Sequence, residues 1–287
     1  MRHLKLRHVF GMGLLLLAAS AAQAQSFAQD VISYDAGTSP ALKWPNDDPY
    51  TNSAAALGAP DGITEGFAGP NILSVFNPAA ELDEIVSVGE GGHLTLRLAN
   101  ELVVGTGPSL GIFSHVGLAE GDWGNPSGTA SDPVMAFGAD PVLIDVSTDG
   151  SQWVSLGIQT IDAPTNFYAD AASPYLASGD GLTVTDFSRA FTAPLSDFAG
   201  KTWPQILALL DGSGGGTWLD LSSSGLSQVS YVRFSVADDS NAGTRLNFEL
   251  DAVSIAAGHI GAPVPEPATL LVLAIAGLMG LRPRRRA

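Results

Sequence analysis

The sequence predicts an all-β domain set between two short terminal segments of different character. About 240 of the 287 residues lie between those segments, within the range of one large β domain. Thirty-three glycines and 18 prolines, with aromatics thinly spread, suit many short strands joined by turns. Several stretches alternate apolar and polar residues with period two, the mark of a half-buried strand. No internal repeat is visible, and no charged or Gly/Ser-rich linker divides the middle of the chain.

Taken in order, the first element is a secretory signal peptide over residues 1–24. Arg2, Lys5 and Arg7 form a basic start, Val9 to Ala22 is an apolar stretch, and Ala22-Gln23-Ala24 supplies small residues at a cleavage site. The mature chain then begins at Gln25. A buried core helix or retained anchor is the rival reading, but a core helix needs no cations before it and no small residues after it.

His93 to Ala99 is a predicted strand, with Leu94, Leu96 and Leu98 facing inward and Thr95 and Arg97 outward. Val142 to Thr148 turns at Asp149-Gly150 and returns through Gln152 to Leu156, a hairpin whose dipeptide tolerates positive φ. Pro204 to Leu210 is the one predicted helix, with proline in the first turn where its missing N–H costs nothing. Asp211 to Gly216 reads as a flexible loop. Tyr231 to Val236 alternates cleanly, with Val232, Phe234 and Val236 inward and Arg233 and Ser235 outward. Asn247 to Ile255 is the last strand, and its pattern slips. Phe248 and Leu250 share one face while Val253 and Ile255 follow the other, which calls for a bulge near Asp251 or burial on both faces.

The chain closes on Val264-Pro265-Glu266-Pro267, an apolar run from Leu270 to Leu281, and Arg282, Arg284, Arg285 and Arg286. Twelve helical residues reach only ~18 Å, short of a ~30 Å hydrocarbon core. Prolines on both sides of Glu266 hold that segment extended. Pro265-Glu266-Pro267, then an apolar helix, then terminal arginines resembles the PEP-CTERM sorting signal of Gram-negative bacteria. The resemblance implies an exosortase, together with the secretion machinery, as partner. It also implies transient inner-membrane anchoring through the tail and a destination at the cell surface or outside the cell. A plain C-terminal anchor is the alternative.

The expected organisation is therefore residues 1–24 as signal peptide, 25–258 as β domain, 259–264 as linker and 265–287 as sorting signal. Charge divides the same way. Residues 25–281 hold all 29 acidic side chains against six basic ones, a net −23, while three cations lie in the leader and four in the tail. Such a surface repels phosphates and excludes nucleic-acid binding. The absence of cysteine excludes disulfides and thiolate metal sites.

Catalytic motifs are lacking. There is no Gly-x-Ser-x-Gly elbow, and His93, His115 and His259 form no zinc-binding spacing. A pair of carboxylates for glycoside hydrolysis can always be picked from 29 acids, so their abundance argues nothing. Asp238 to Gly243 with Glu249 has EF-hand spacing, but Ala242 offers no side-chain oxygen and strands flank it, so it reads as an acidic hairpin turn. Trp44 and Trp123, in polar loops rich in proline and glycine, are candidate platforms for a sugar, with burial under a loop as the alternative. Trp153, after the hairpin turn, is expected in the core.

Ala56 to Gly62, Glu84 to Leu98, Val146 to Trp153 and Phe248 to Val253 together resemble the single-domain PEP-CTERM surface proteins whose body is a galactose-binding-like, or discoidin-like, jelly-roll β-sandwich. That resemblance implies a structural calcium held by Asp61 and by Asp251 or Glu249, with an Asx turn at Asp61 and a bulge at Asp251 as the plainer roles. The function expected is that of a non-enzymatic surface or exopolysaccharide-matrix protein. A carbohydrate-binding module, or more remotely a secreted hydrolase, is the alternative.

Overall fold

The computed structural model describes residues 26–66, 69–122, 127–175, 183–238 and 246–265. Residues 1–25, with the expected signal peptide, most of the expected acidic turn at Asp238 to Gly243, and residues 266–287 lie outside them. The chain is mostly β, and its sheets are antiparallel. The ten principal strands are β1 (Ala28–Asp35), β2 (Val86–Gly89), β3 (His93–Val103), β4 (Pro108–Ser114) and β5 (Asp140–Ser147), followed by β6 (Val154–Ile161), β7 (Thr217–Asp220), β8 (Gln228–Ser235), β9 (Asn247–Ile255) and β10 (Ile260–Pro263). One sheet runs β1-β3-β8-β5-β6, with β10 also paired to β3. The other runs β7-β4-β9-β2.

The alternating leucines explain how the two sheets meet. Leu94, Leu96 and Leu98 of β3, Val142, Ile144 and Val146 of β5, and Val232 and Phe234 of β8 form one inner face. Val86 and Val88 of β2, Leu110 and Ile112 of β4, and Phe248, Leu250, Val253 and Ile255 of β9 form the other. All are buried in one cluster, with Phe234 stacked on Phe248 at 5.5 Å between ring centroids. Burying a side chain of this kind contributes roughly 1.5–3 kcal/mol.

The slipped pattern of the last strand is resolved by both expected features together. The pairing of β9 with β4 shifts between Leu250 and Ala252, so Asp251 and Ala252 both fall between the inward-facing Leu250 and Val253. The outer face of β9 is buried as well, because long connections cover that side of the four-stranded sheet. Ala252 and Phe113 pack there against Phe27 and Phe187. Ile72, Phe198, Trp203, Ile206 and Leu210 build a further cluster within this covering layer.

The predicted helix, α1 (Trp203–Leu210), opens with a capping box in which Thr202 and Gln205 satisfy one another's backbone donors. The glycine-rich run after it is a packed turn, not the flexible loop expected. Ser213 is buried, the Gly216 amide donates to the Pro164 carbonyl at 3.0 Å, and a Cβ at Gly215 would stand 2.2 Å from that same oxygen. Glycine is used there for close backbone approach.

Two further expectations are corrected. Trp153 is half-buried, with the Arg233 guanidinium 4.4 Å from its ring centroid on the outer face of the six-stranded sheet, and not in the core. Residues 259–264 are not a free linker, since β10 pairs with β3 and Val264 is buried. Arg97 does face away from the core as expected, yet its side chain is only 1% exposed.

Candidate functional site

The bulge in β9 sets the electrostatics of the covered face. Glu249 lies opposite Ser87 of β2, between the inward-facing Phe248 and Leu250, so its carboxylate projects into the covering layer. Asp251 projects the same way because the extra residue of the bulge turns it there. Both are almost fully buried, and Glu249 Oε1 and Asp251 Oδ2 have no hydrogen-bond partner. Unpaired buried carboxylate oxygens are costly, and the group responds by holding its proton more tightly.

Around Asp251 stand two further acids. Asp61, in the loop before the hairpin Ile63–Gly66 and Gly69–Ile72, is exposed, and Glu84, at the end of a tight turn, is buried. Glu84 is held by Thr64 Oγ1 at 2.5 Å and by the amides of Ala80 and Glu81 at 2.8 and 2.9 Å, all donating to Oε2. Desolvation first, and then the charges of Asp61 and Glu84, push the Asp251 carboxyl well above its ordinary value. Burial raises Glu84 against those three hydrogen bonds, and burial with the nearby Asp83 raises Asp61.

Glu249 belongs to a neighbouring but separate pair. Its partner is Asp140, at the start of β5, and the two carboxyls share a hydrogen bond that requires a proton. Burial first, then Asp140, pushes Glu249 up to about 8. His115 lies beside Asp140 with Nδ1 against the Ala79 carbonyl, and its burial lowers its proton affinity. The Tyr50 hydroxyl donates to the Ala80 carbonyl at 2.8 Å and is raised to about 12 by burial and by Glu81, Glu249 and Glu84.

The expected ligand set is thus divided. Asp61 and Asp251 come within electrostatic reach of one another with Glu84 as a third member, while Glu249 faces Asp140 instead. Among the described residues no three His, Cys, Asp or Glu side chains form a ready coordination cluster. The orphaned Asp251 Oδ2, within the field of two further carboxyl groups, is an oxygen donor of the kind a hard cation takes. Glu84 was not legible beforehand: it is one of three acids in Glu81-Leu82-Asp83-Glu84, and only the turn decides which of them points inward.

The other sequence candidates are scattered. Trp44 is 71% exposed at the tip of the short hairpin Leu42–Lys43 and Asp48–Pro49, not buried beneath a loop. Trp123 lies outside the described residues, as do Glu266 and Pro267, while Pro265 is exposed at the end of the described chain. His93 contacts Ser33 Oγ at 3.2 Å and His259 the Val103 carbonyl at 2.9 Å, far apart in function and joined by no cluster. Among the described residues no helix is long and apolar enough to cross a membrane. No protein-family profile matches the sequence, and no curated protein matches it.

The raised carboxyls fix the sign of a pH dependence. The folded protein holds a proton on Glu249 up to about pH 8, whereas the unfolded chain releases it near 4.5. Between those values the native state binds more protons, so stability falls as pH rises. Each tenfold displacement of proton affinity is worth about 1.4 kcal/mol. Glu249→Gln, which keeps a donor toward Asp140, should flatten the decline between pH 5 and pH 8 by more than about 1 kcal/mol. Urea denaturation at the two pH values checks this, and a slope unchanged by the substitution would contradict it.

Proposed function

We propose that this chain is an exported, non-enzymatic protein of the cell surface or exopolysaccharide matrix. Residues 1–24 direct export, and a PEP-CTERM-type tail over residues 265–287 anchors the chain transiently in the inner membrane until an exosortase acts on it. The body is a galactose-binding-like jelly roll. The observation that carries this reading is the ordered triplet of Pro265-Glu266-Pro267, the apolar run Leu270 to Leu281 and the terminal arginines. Such a run is too short for an ordinary spanning helix, and arginines at its end can snorkel to the cytoplasmic face.

A structural calcium between Asp61 and Asp251, with Glu84 as a third carboxylate, belongs to the same reading. It is supported by the orphaned, buried Asp251 Oδ2 facing two further acids. Calcium takes six to eight oxygens, so main-chain carbonyls and water would complete the set. The bound ion would offset like-charge repulsion in a segment of net −23 and tie an early loop to the last long strand.

A second reading is favoured by one observation. Trp44 presents 71% of its surface on a hairpin tip, as a sugar-stacking platform requires. In that case the matrix role includes direct contact with polysaccharide.

Three outcomes test these statements. Protein recovered from a host with its own exosortase should have an intact mass short of residues C-terminal to the motif, and Glu266→Ala should restore them without affecting export; a mature chain still ending at Ala287 overturns the sorting proposal. Millimolar calcium should raise the melting temperature more than magnesium at equal ionic strength. At a hundredfold excess over Kd the gain is about 2.7 kcal/mol, and Asp251→Asn should remove most of the difference. Equal shifts from both ions would mean diffuse screening. On a glycan array, Trp44→Ala should abolish binding to any polysaccharide that the native protein retains, and unaltered binding would dismiss the hairpin as a platform.

A further inference from the structure

One buried cation is used in an unusual way. Arg97, on the outward face of β3, is 1% exposed, and only two groups compensate its guanidinium. Nη2 pairs with the Asp30 carboxylate on β1, and Nη1 donates to the Val264 main-chain carbonyl at 2.7 Å, while Nε has no partner. Burying a guanidinium is costly unless it is well paired. Here one partner lies in the first strand of the domain, and the other is a backbone oxygen at the last residue before Pro265.

The surrounding bonds make the purpose of this contact specific. The Val264 amide donates to the Ala99 carbonyl at 2.9 Å, and Asn100 Nδ2 donates to the Gly261 carbonyl at 2.7 Å. Ile260 pairs with Leu102 and Pro263 with Asn100, so β10 lies along the same edge of β3 that β1 occupies further up. The chain start arrives at the same place: the Ala99 amide donates to the Phe27 carbonyl at 2.9 Å, and Ala28 pairs with Leu98. The first and last described strands are therefore both fastened to residues 98–102 of β3, the last of them through Val264.

We propose that Arg97 and the β10 strap set the inner limit of C-terminal processing, so that an endopeptidase acting on the folded protein does not cut within residues 260–264. Proteases require extended, unpaired backbone, and susceptibility follows the burial and hydrogen bonding of the segment to be cut. Pairing with β3 and the Arg97 contact withhold the backbone of residues 260–264. The bond from Val264 to Pro265 is itself a poor substrate because proline lacks an N–H and restricts the residue before it. The cut is a hydrolysis in which water adds across one peptide bond, leaving a new carboxylate on the body and a new amino group on the released tail. The inference rests on the sorting proposal for the occasion of the cut, and on the strap alone for its limit.

The test is digestion of the exported full-length protein by proteinase K under native conditions, with intact mass as the readout. The resistant body of the native protein should retain Val264. Arg97→Leu leaves Asp30, which is 44% exposed, solvated, and should shift that end back by roughly five to eight residues, into the connection after β9. Gly261→Val is the second variant, since its Cβ would stand 2.9 Å from the Glu101 carbonyl, and it loosens the strap while keeping the Arg97 side chain and its Asp30 partner. It should give the same shortened end even if Arg97→Leu does not fold. Native protein trimmed inside residues 260–263, or a Gly261→Val end identical to the native one, overturns the proposal. Neither outcome involves an exosortase, so it is distinguishable from failure of the sorting reading, which is decided by the terminus found in the host.

Discussion

Strand β9 is buried on both faces, and the rest of the molecule is arranged to satisfy that demand. Its inner side chains, Phe248, Leu250, Val253 and Ile255, complete the core between the two sheets. Its outer side would be an open sheet face but for the long connections that fold over it. Phe113 and Ala252 meet Phe27, Phe187 and Trp218 there, with Phe113 edge-on to Phe187 at 5.2 Å and to Trp218 at 6.1 Å. A bulge is what lets one strand serve both layers. It supplies the extra residue that moves the inward set from Phe248 and Leu250 to Val253 and Ile255 without exposing either pair.

The same bulge carries a cost. By covering the outer face, the loop layer removes Glu249 and Asp251 from water, and among the described residues no arginine or lysine forms an ion pair with either. Glu249 answers with a proton shared with Asp140. Asp251 has no such partner, and sits in the field of Asp61 and Glu84. A proton and a divalent cation are alternative ways to quiet such a group, and they compete: the acid conditions that protonate the carboxyls also weaken any metal that needs them ionised.

Elsewhere the sparse cations are placed with care. The two arginines on the outer face of the six-stranded sheet both have carboxylate partners. Arg233 takes Asp145 at 2.7 Å and lies over Trp153, while Arg97 takes Asp30 and the Val264 carbonyl. An exposed pair contributes little, but a buried one fixes geometry because neither member can be left unpaired. That rigidity is what turns residues 260–264 from a connector into sheet, and it brings the first and last described segments side by side on β3.

Much of this was determined by the sequence itself. Period-two alternation is a local property, so β3, the β5–β6 hairpin and β8 could be placed from their leucines and valines, and the capping residues around α1 mark it independently of its surroundings. The slip in the last strand also announced its bulge, because an inward face cannot change over without an extra residue. The order of Pro265-Glu266-Pro267, the apolar run and the terminal arginines is a linear pattern and needs no fold to be seen. Only the tertiary structure decided what depends on coverage. Nothing in Asp211 to Gly216 says that Pro164 and Phe187 will pack against it, so a run that looks flexible is tightly held. Nothing local to Glu84 or Asp140 separates them from other acids, because burial is conferred by segments distant in sequence. Arg97 looks like any outward-facing strand residue until a segment 167 positions away closes over it. Side-chain periodicity is written in neighbours along the chain, whereas burial and charge compensation are written in neighbours across space.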